Sequence, residues 1–103
     1  MQTYVIFRRS AWATGNDLGA AASRSTEVGN EMPADIRWLR SYVLDEADGT
    51  LGTVCVYQAG STEAIREHAR RVGMPAHEIL AVADTVLVRP DPEPIPALGG
   101  ADR

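Results

Sequence analysis

The fold is decided by residues 36–73, which read IRWLRSYVLD (36–45), EADGT (46–50), LGTVCVYQ (51–58), AG (59–60) and STEAIREHARRVG (61–73). Ile36 to Asp45 is filled by β-branched, aromatic and aliphatic residues with no breaker, and Leu51 to Gln58 has the same character, so each run predicts a strand. The Asp and Gly chemistry of Glu46 to Gly49 turns one run back on the other, which makes the pair an antiparallel hairpin. Gly60-Ser61-Thr62 ends the second strand and offers a helix cap. Glu63 then places a negative charge in the first turn, and Gly73 stops the helix after Val72. Within that helix Ile65, His68, Ala69 and Val72 share one face, so His68 is expected to point at the sheet.

Working outward, Thr3 to Arg8 reads as a first strand that ends where Ser10, Thr14, Gly15 and Asn16 break the pattern. Asp17 is the expected cap of a helix whose inward positions, Leu18, Ala21, Ala22, Ser25, Val28 and Met32, are mostly small. Pro33-Ala34-Asp35 punctuates before the hairpin. Past Pro75-Ala76, Ile79 to Arg89 predicts a fourth strand through Val82, Val86, Leu87 and Val88, and the prolines from Pro90 to Pro96 forbid any further ladder. One domain over residues 1–89 and a Pro/Gly-rich C-terminal tail over 90–103 are therefore expected.

Strand, helix, strand, strand, helix, strand is the ferredoxin-like βαββαβ order: an α+β fold with a four-stranded antiparallel sheet and both helices on one face. Its other face is left uncovered, and two such faces packed about a twofold axis would hide it. The expectation is a homodimer through the open sheet face, a dimeric α/β-barrel type of assembly. The preorganised proline tail is expected to reach a partner subunit.

Composition excludes several classes. At 103 residues, 45% hydrophobic and 23% charged, there is room for one small domain. A net charge of −4 argues against nucleic acid as a partner, because phosphate binding concentrates cations on one surface. All ten basic residues are Arg, a pattern of GC-rich coding that carries no functional weight. One Cys cannot form an intramolecular disulfide, no apolar run reaches membrane-spanning length, and Tyr4-Val5-Ile6-Phe7 lacks the basic start and long apolar core of a signal peptide. No membrane partner is expected, and the cytoplasm is the expected compartment. Gly-rich phosphate cradles, paired-Cys zinc spacing and nucleophile elbows are missing from the sequence.

Four pieces occur together in order: Ile36-Arg-Trp-Leu-Arg-Ser-Tyr-Val43, Cys55-Val-Tyr57, Glu63-Ala-Ile-Arg-Glu-His-Ala69, and Gly73-Met-Pro-Ala76 followed by Glu78-Ile79. In this combination the chain resembles the small actinobacterial family of nickel-binding or nickel-responsive ferredoxin-like proteins, over roughly Ser23 to Val82. The resemblance implies the same fold, and nickel or another divalent metal as a weakly held ligand. Two features depart from the family pattern: the turn from Glu46 through Leu51 is longer, and the first strand lacks acidic residues around Phe7 to Arg9.

The candidate ligand pocket comprises Tyr42, Cys55, Tyr57 and His68, with His68, Tyr42 and Cys55 as the candidate metal ligands. Cys55 and Tyr57 share one face of their strand, and Val54 and Val56 line the other. The turn does not fix the hairpin register. If Asp45 pairs with Thr50, then Trp38, Arg40 and Tyr42 join the face of Cys55 and Tyr57; a shift by one brings Leu39, Ser41 and Val43 instead. Imidazole titrates near neutrality and binds borderline cations, but an inward His is also commonly satisfied by a backbone carbonyl or a tyrosine hydroxyl. Cys55 is either a nucleophile, which needs a neighbouring base or cation, or a small buried hydrophobe. Trp38 and Tyr42 are equally readable as packing and dimer contacts. His77 beside Glu78 falls in a loop, exposed to solvent, and the Glu and Arg residues from Glu63 to Arg71 are helical-neighbour surface charges. A small dimeric binding protein is the first functional expectation. The second is a cofactor-independent enzyme, monooxygenase- or isomerase-like, using the His68 pocket. A cavity beside His68 would favour the enzyme, and a filled core a structural module.

Overall fold

A computed structural model describes residues 1–94. Its elements are β1 (Gln2–Trp12), α1 (Gly15–Glu31), β2 (Ile36–Asp45), β3 (Leu51–Ala59), α2 (Thr62–Val72) and β4 (Glu78–Ala81). The strands form one antiparallel sheet in the order β2-β3-β1-β4. This is the ferredoxin-like arrangement expected from the element order. The core lies between the sheet and the two helices, where Tyr4 and Ile6 of β1, Cys55 and Tyr57 of β3, Val28 of α1 and Ile65 of α2 are buried together.

Local chemistry explains the element ends. Thr14, rather than the expected Asp17, caps α1: its Oγ1 accepts the Asp17 N–H at 3.1 Å, leaving Asp17 as the acidic residue of the first turn. Ser61 does the same for α2 by accepting the Ala64 N–H at 3.1 Å. Gly73 ends α2 in the left-handed region at φ 85°, and both its N–H and that of Met74 return to the Ala69 carbonyl.

Two strands differ from expectation. β1 runs on to Trp12 because the chain steps around an irregularity between Arg8 and Trp12, with Ser10 at φ 46°, and pairs again with Leu51. β4 spans only Glu78–Ala81 instead of Ile79 to Arg89. It has β1 as its single neighbour, pairing Phe7 to Tyr4 with Glu78 to Ala81, and the Val82 N–H bonds the Thr3 carbonyl close to where β1 begins. Past that point no strand edge remains to pair with, and Val86, Leu87 and Val88 stand 85%, 85% and 75% exposed. Asp91, within the expected tail, accepts from Arg40 and Tyr42 of β2 at 2.7 and 2.8 Å, so the chain returns to the opposite edge of its own sheet. The rest of the tail, 95–103, lies outside the described residues.

Candidate functional site

The β2–β3 register combines the two alternatives left open by the turn. Trp38 opposes Tyr57, a bulge absorbs Leu39, and then Arg40 opposes Val56, Ser41 opposes Cys55, Tyr42 opposes Val54 and Val43 opposes Thr53. One extra residue therefore switches the faces midway along β2. Trp38, Ser41 and Val43 all look toward the helices, and Tyr42 does not. The grouping of Tyr42 with Cys55, Tyr57 and His68 is thus corrected: Tyr42 sits on the open face, 45% exposed, with its hydroxyl donating to Asp91.

On the helix side, α1 and the sheet line a cavity of about 750 Å³ that opens to solvent. Its floor is Cys55 and Tyr57 of β3 with Ser41 and Val43 of β2. Its roof is the α1 face of Leu18, Gly19, Ala21 and Ala22. Leu18, Ala21 and Ala22 are inward as expected, Gly19 joins them, and the small size of Gly19, Ala21 and Ala22 is what leaves the space, because a helix bearing larger side chains would fill it. Trp12 and Trp38 form walls, and Thr14, Gly15 and Asn16 of the first α1 turn also line it.

The residue that sequence reasoning missed is Arg8. It lines this cavity with its side chain completely buried, and Nε, Nη1 and Nη2 have no hydrogen-bond partner among the described residues. Its position follows from strand alternation: Tyr4, Ile6 and Arg8 are successive inward residues of β1, and Arg8 opposes the buried Thr53. The signal was present in the sequence, since a lone Arg falls in phase with inward Tyr and Ile. Its neighbour Arg9 points outward and is paired, donating through Nε and Nη2 to the Glu46 carboxylate at 3.0 and 2.8 Å. Glu46 also accepts the Ser10 N–H at 2.8 Å, and Arg9 and this backbone bond hold its carboxyl below the usual carboxylate range. The long turn after β2 therefore secures the irregular part of β1 next to Arg8.

Arg8 carries its guanidinium carbon 5.8 Å from the Tyr57 ring centroid. Burial pushes the Tyr57 phenol above its ordinary pKa, opposed by the nearby Arg8 cation, so the phenol stays protonated at neutral pH. Trp38 stacks on the same ring at 6.1 Å, and His68 meets it edge-on at 5.5 Å.

His68 points inward as its helical spacing predicts, and it is fully buried. Its Nε2 lies 3.0 Å from the Ser25 carbonyl, which can only accept, so Nε2 carries the proton, and Nδ1, with no partner among the described residues, is a bare lone pair. Burial lowers the His68 pKa; the Ser25 bond opposes this and the Arg8 charge adds to it. Of the two sequence readings, backbone satisfaction describes the observed geometry, and His68 does not itself line the cavity but meets the lining residue Tyr57 edge-on. Cys55 is buried, with Sγ 3.3 Å from Thr53 Oγ1. His77 is exposed, as expected, but its Nδ1 accepts the Arg9 N–H at 2.9 Å, which ties the start of β4 to β1.

The described residues include no group of three or more His, Cys, Asp or Glu placed to share a metal ion. Around the cavity the soft donors are the Cys55 thiol and the Met74 thioether, and the charged residue among the described lining is the cation Arg8. Like charge and the lack of a carboxylate do not fit a divalent cation there. No helix among the described residues is long and apolar enough to cross a membrane.

Comparison with known proteins agrees with the fold. A crystal structure of SCO4226 from Streptomyces coelicolor A3(2) superposes with a TM-score of 0.67 at 21% identity, covering 82% of this chain and 99% of that one. No curated protein matches the sequence. The family model described as "Nickel responsive protein SCO4226-like" matches residues 4–82, from β1 through β4. The chain therefore belongs to the nickel-responsive, SCO4226-like family.

Proposed function

We propose that this protein binds a small organic molecule in the cavity between α1 and the sheet. The observation that carries this reading is the cavity itself, with aromatic and small apolar walls and a few placed polar groups. That is the usual make-up of a ligand site, and about 300–1,000 Å³ is its usual size. Binding is favoured over catalysis because His68 does not line the cavity and is bonded to Ser25, and Cys55 has a hydroxyl rather than a base beside it. Nickel enters through the family description, and weak nickel binding by His68 and Cys55 is the competing reading.

A titration followed by amide and indole NMR resonances separates the two. With indole as the titrant, shifts grouped on Trp12, Trp38, Ala21 and Ala22 are the expected result. Nickel chloride broadening the neighbours of His68 and Cys55, with no response to indole, would transfer the site to the metal.

We further infer a homodimer formed through the open sheet face. Val5 and Phe7 of β1, Val54 and Val56 of β3 and Leu44 of β2 are only half-buried there, and Leu80 is 49% exposed. The exposed Val86, Leu87 and Val88 provide a matching apolar segment. A second copy supplies both surfaces at once, which is the condition for an isologous contact.

A further inference from the structure

We infer that the ligand of this cavity carries a carboxylate on an aromatic body, and that Arg8 is the residue that recognises the carboxylate. This rests on the ligand-binding reading above. A guanidinium removed from water without a hydrogen-bond partner is among the costliest groups a fold can retain, and the compensation the described residues give Arg8 is the Tyr57 ring, 5.8 Å from its guanidinium carbon. All three nitrogens lack an acceptor among the described residues, and the side chain is fully buried yet lines the cavity. Five N–H donors on a rigid plane match the two oxygens of a carboxylate in a fork.

The charge balance narrows the class further. Arg8 is the single charged residue among those lining the cavity, so one negative charge neutralises it and a dianion such as a phosphate monoester would leave charge unpaired. The first turn of α1, capped by Thr14, presents Gly15 and Asn16 to the same space. The positive end of the helix dipole thereby adds to the potential felt by an anion near Arg8. The body of the ligand is set by the aromatic side chains of Trp12 and Trp38, and by Gly19, Ala21 and Ala22, which keep the roof clear. A bicyclic aromatic monocarboxylate meets all of these requirements.

The test is calorimetric titration of the full chain with three probes that share one body: 2-naphthoate, the neutral 2-naphthamide and the cationic 2-naphthylmethylamine. The expected order for wild type is naphthoate at least about tenfold tighter than naphthamide, with no heat from the amine, since a charge-assisted fork is worth that much or more. In Arg8→Met, verified as folded by circular dichroism, the naphthoate preference should vanish. Equal affinities of wild type for naphthoate and naphthamide would overturn the carboxylate inference and leave the ligand-binding reading standing. Failure of all three probes would overturn both. A naphthoate preference that survives in Arg8→Met would overturn the role of Arg8. If that variant does not fold, the wild-type comparison of acid and amide alone decides, and Arg8→Lys, which keeps the charge but loses the fork, should retain only part of the preference.

Discussion

The Arg8 guanidinium and the Tyr57 ring stand 5.8 Å apart across the sheet floor of the cavity, and this contact is the main compensation the fold gives to a fully buried cation. A cation over an aromatic ring recovers about 0.5–2 kcal/mol, whereas removing a charge from water without partners costs several kcal/mol. The pair is therefore a net liability to the folded chain. Such a liability persists where a site must be ready for its ligand before the ligand arrives.

Replacing Arg8 with Met should stabilise the ligand-free protein. Met fills the volume without a charge, and exchanges of this kind commonly gain about 1–3 kcal/mol. Urea unfolding followed by circular dichroism would show it as a higher midpoint at unchanged slope. A lower midpoint would mean that Arg8 supports the fold through contacts beyond Tyr57.

His68 should give the protein an acid-sensitive stability. Burial lowers its folded pKa, so the unfolded chain, with an ordinary value of about 6.5, takes up the proton first. The stabilising contribution of neutral His68 is complete above about pH 6.5 and is lost progressively as the pH falls from there toward the depressed folded value. Unfolding free energies for wild type and His68→Leu, measured between pH 7.5 and 5.5, should diverge in slope, with the variant flatter. Parallel slopes would show that the imidazole is protonated alike in both states. His77 is present in both proteins and cancels.

These two residues mark how far the sequence could be read. His68 is legible because 3.6-residue periodicity in α2 is clean, with Ile65 and Ala69 buried beside it. Arg8 is hard to read because its charge outweighs its phase: strand alternation with Tyr4 and Ile6 points inward, but an Arg at a strand end reads as solvated. Tyr42 was unreadable for another reason. The bulge at Leu39 leaves no composition signal, and it reverses every later side chain of β2. The shortfall of β4 has a similar origin, since Val86, Leu87 and Val88 have strand propensity but no edge to pair with. The hairpin, both helices and the order of elements along the chain, by contrast, follow from turn residues, glycines and periodicity that act locally.

The open-face dimer leads to an expectation of its own. Val54 opposes Phe7 on the exposed side of the sheet, at its centre, so Val54→Lys places a charge where the two copies would meet without touching the cavity side of β3. Light scattering after size exclusion at micromolar concentration should report a dimer for wild type and a monomer for Val54→Lys. A wild-type monomer would rule out the assembly and leave the half-buried valines as an ordinary sheet surface.

Gly52 and Gly19 should respond in opposite directions to the same substitution. At Gly52 a Cβ would lie 2.6 Å from the Arg8 carbonyl oxygen and would strike the Glu46 carboxylate. That carboxylate is the group that bonds Arg9 and the Ser10 N–H, so it cannot retreat without releasing the irregular segment that follows Arg8. Gly52→Ala should therefore cost about 1–3 kcal/mol, as overpacking against backbone does. It should also disturb the Arg8 side of the cavity. At Gly19 a Cβ meets nothing within 4 Å, and the residue lies inside α1, where Ala is preferred to Gly by about 0.5–1 kcal/mol. Gly19→Ala should raise the urea midpoint and Gly52→Ala should lower it. If Gly52→Ala proved neutral, the turn after β2 would be freer to move than its bonds to Arg9 and Ser10 indicate, and its role in fixing Arg8 would have to be abandoned.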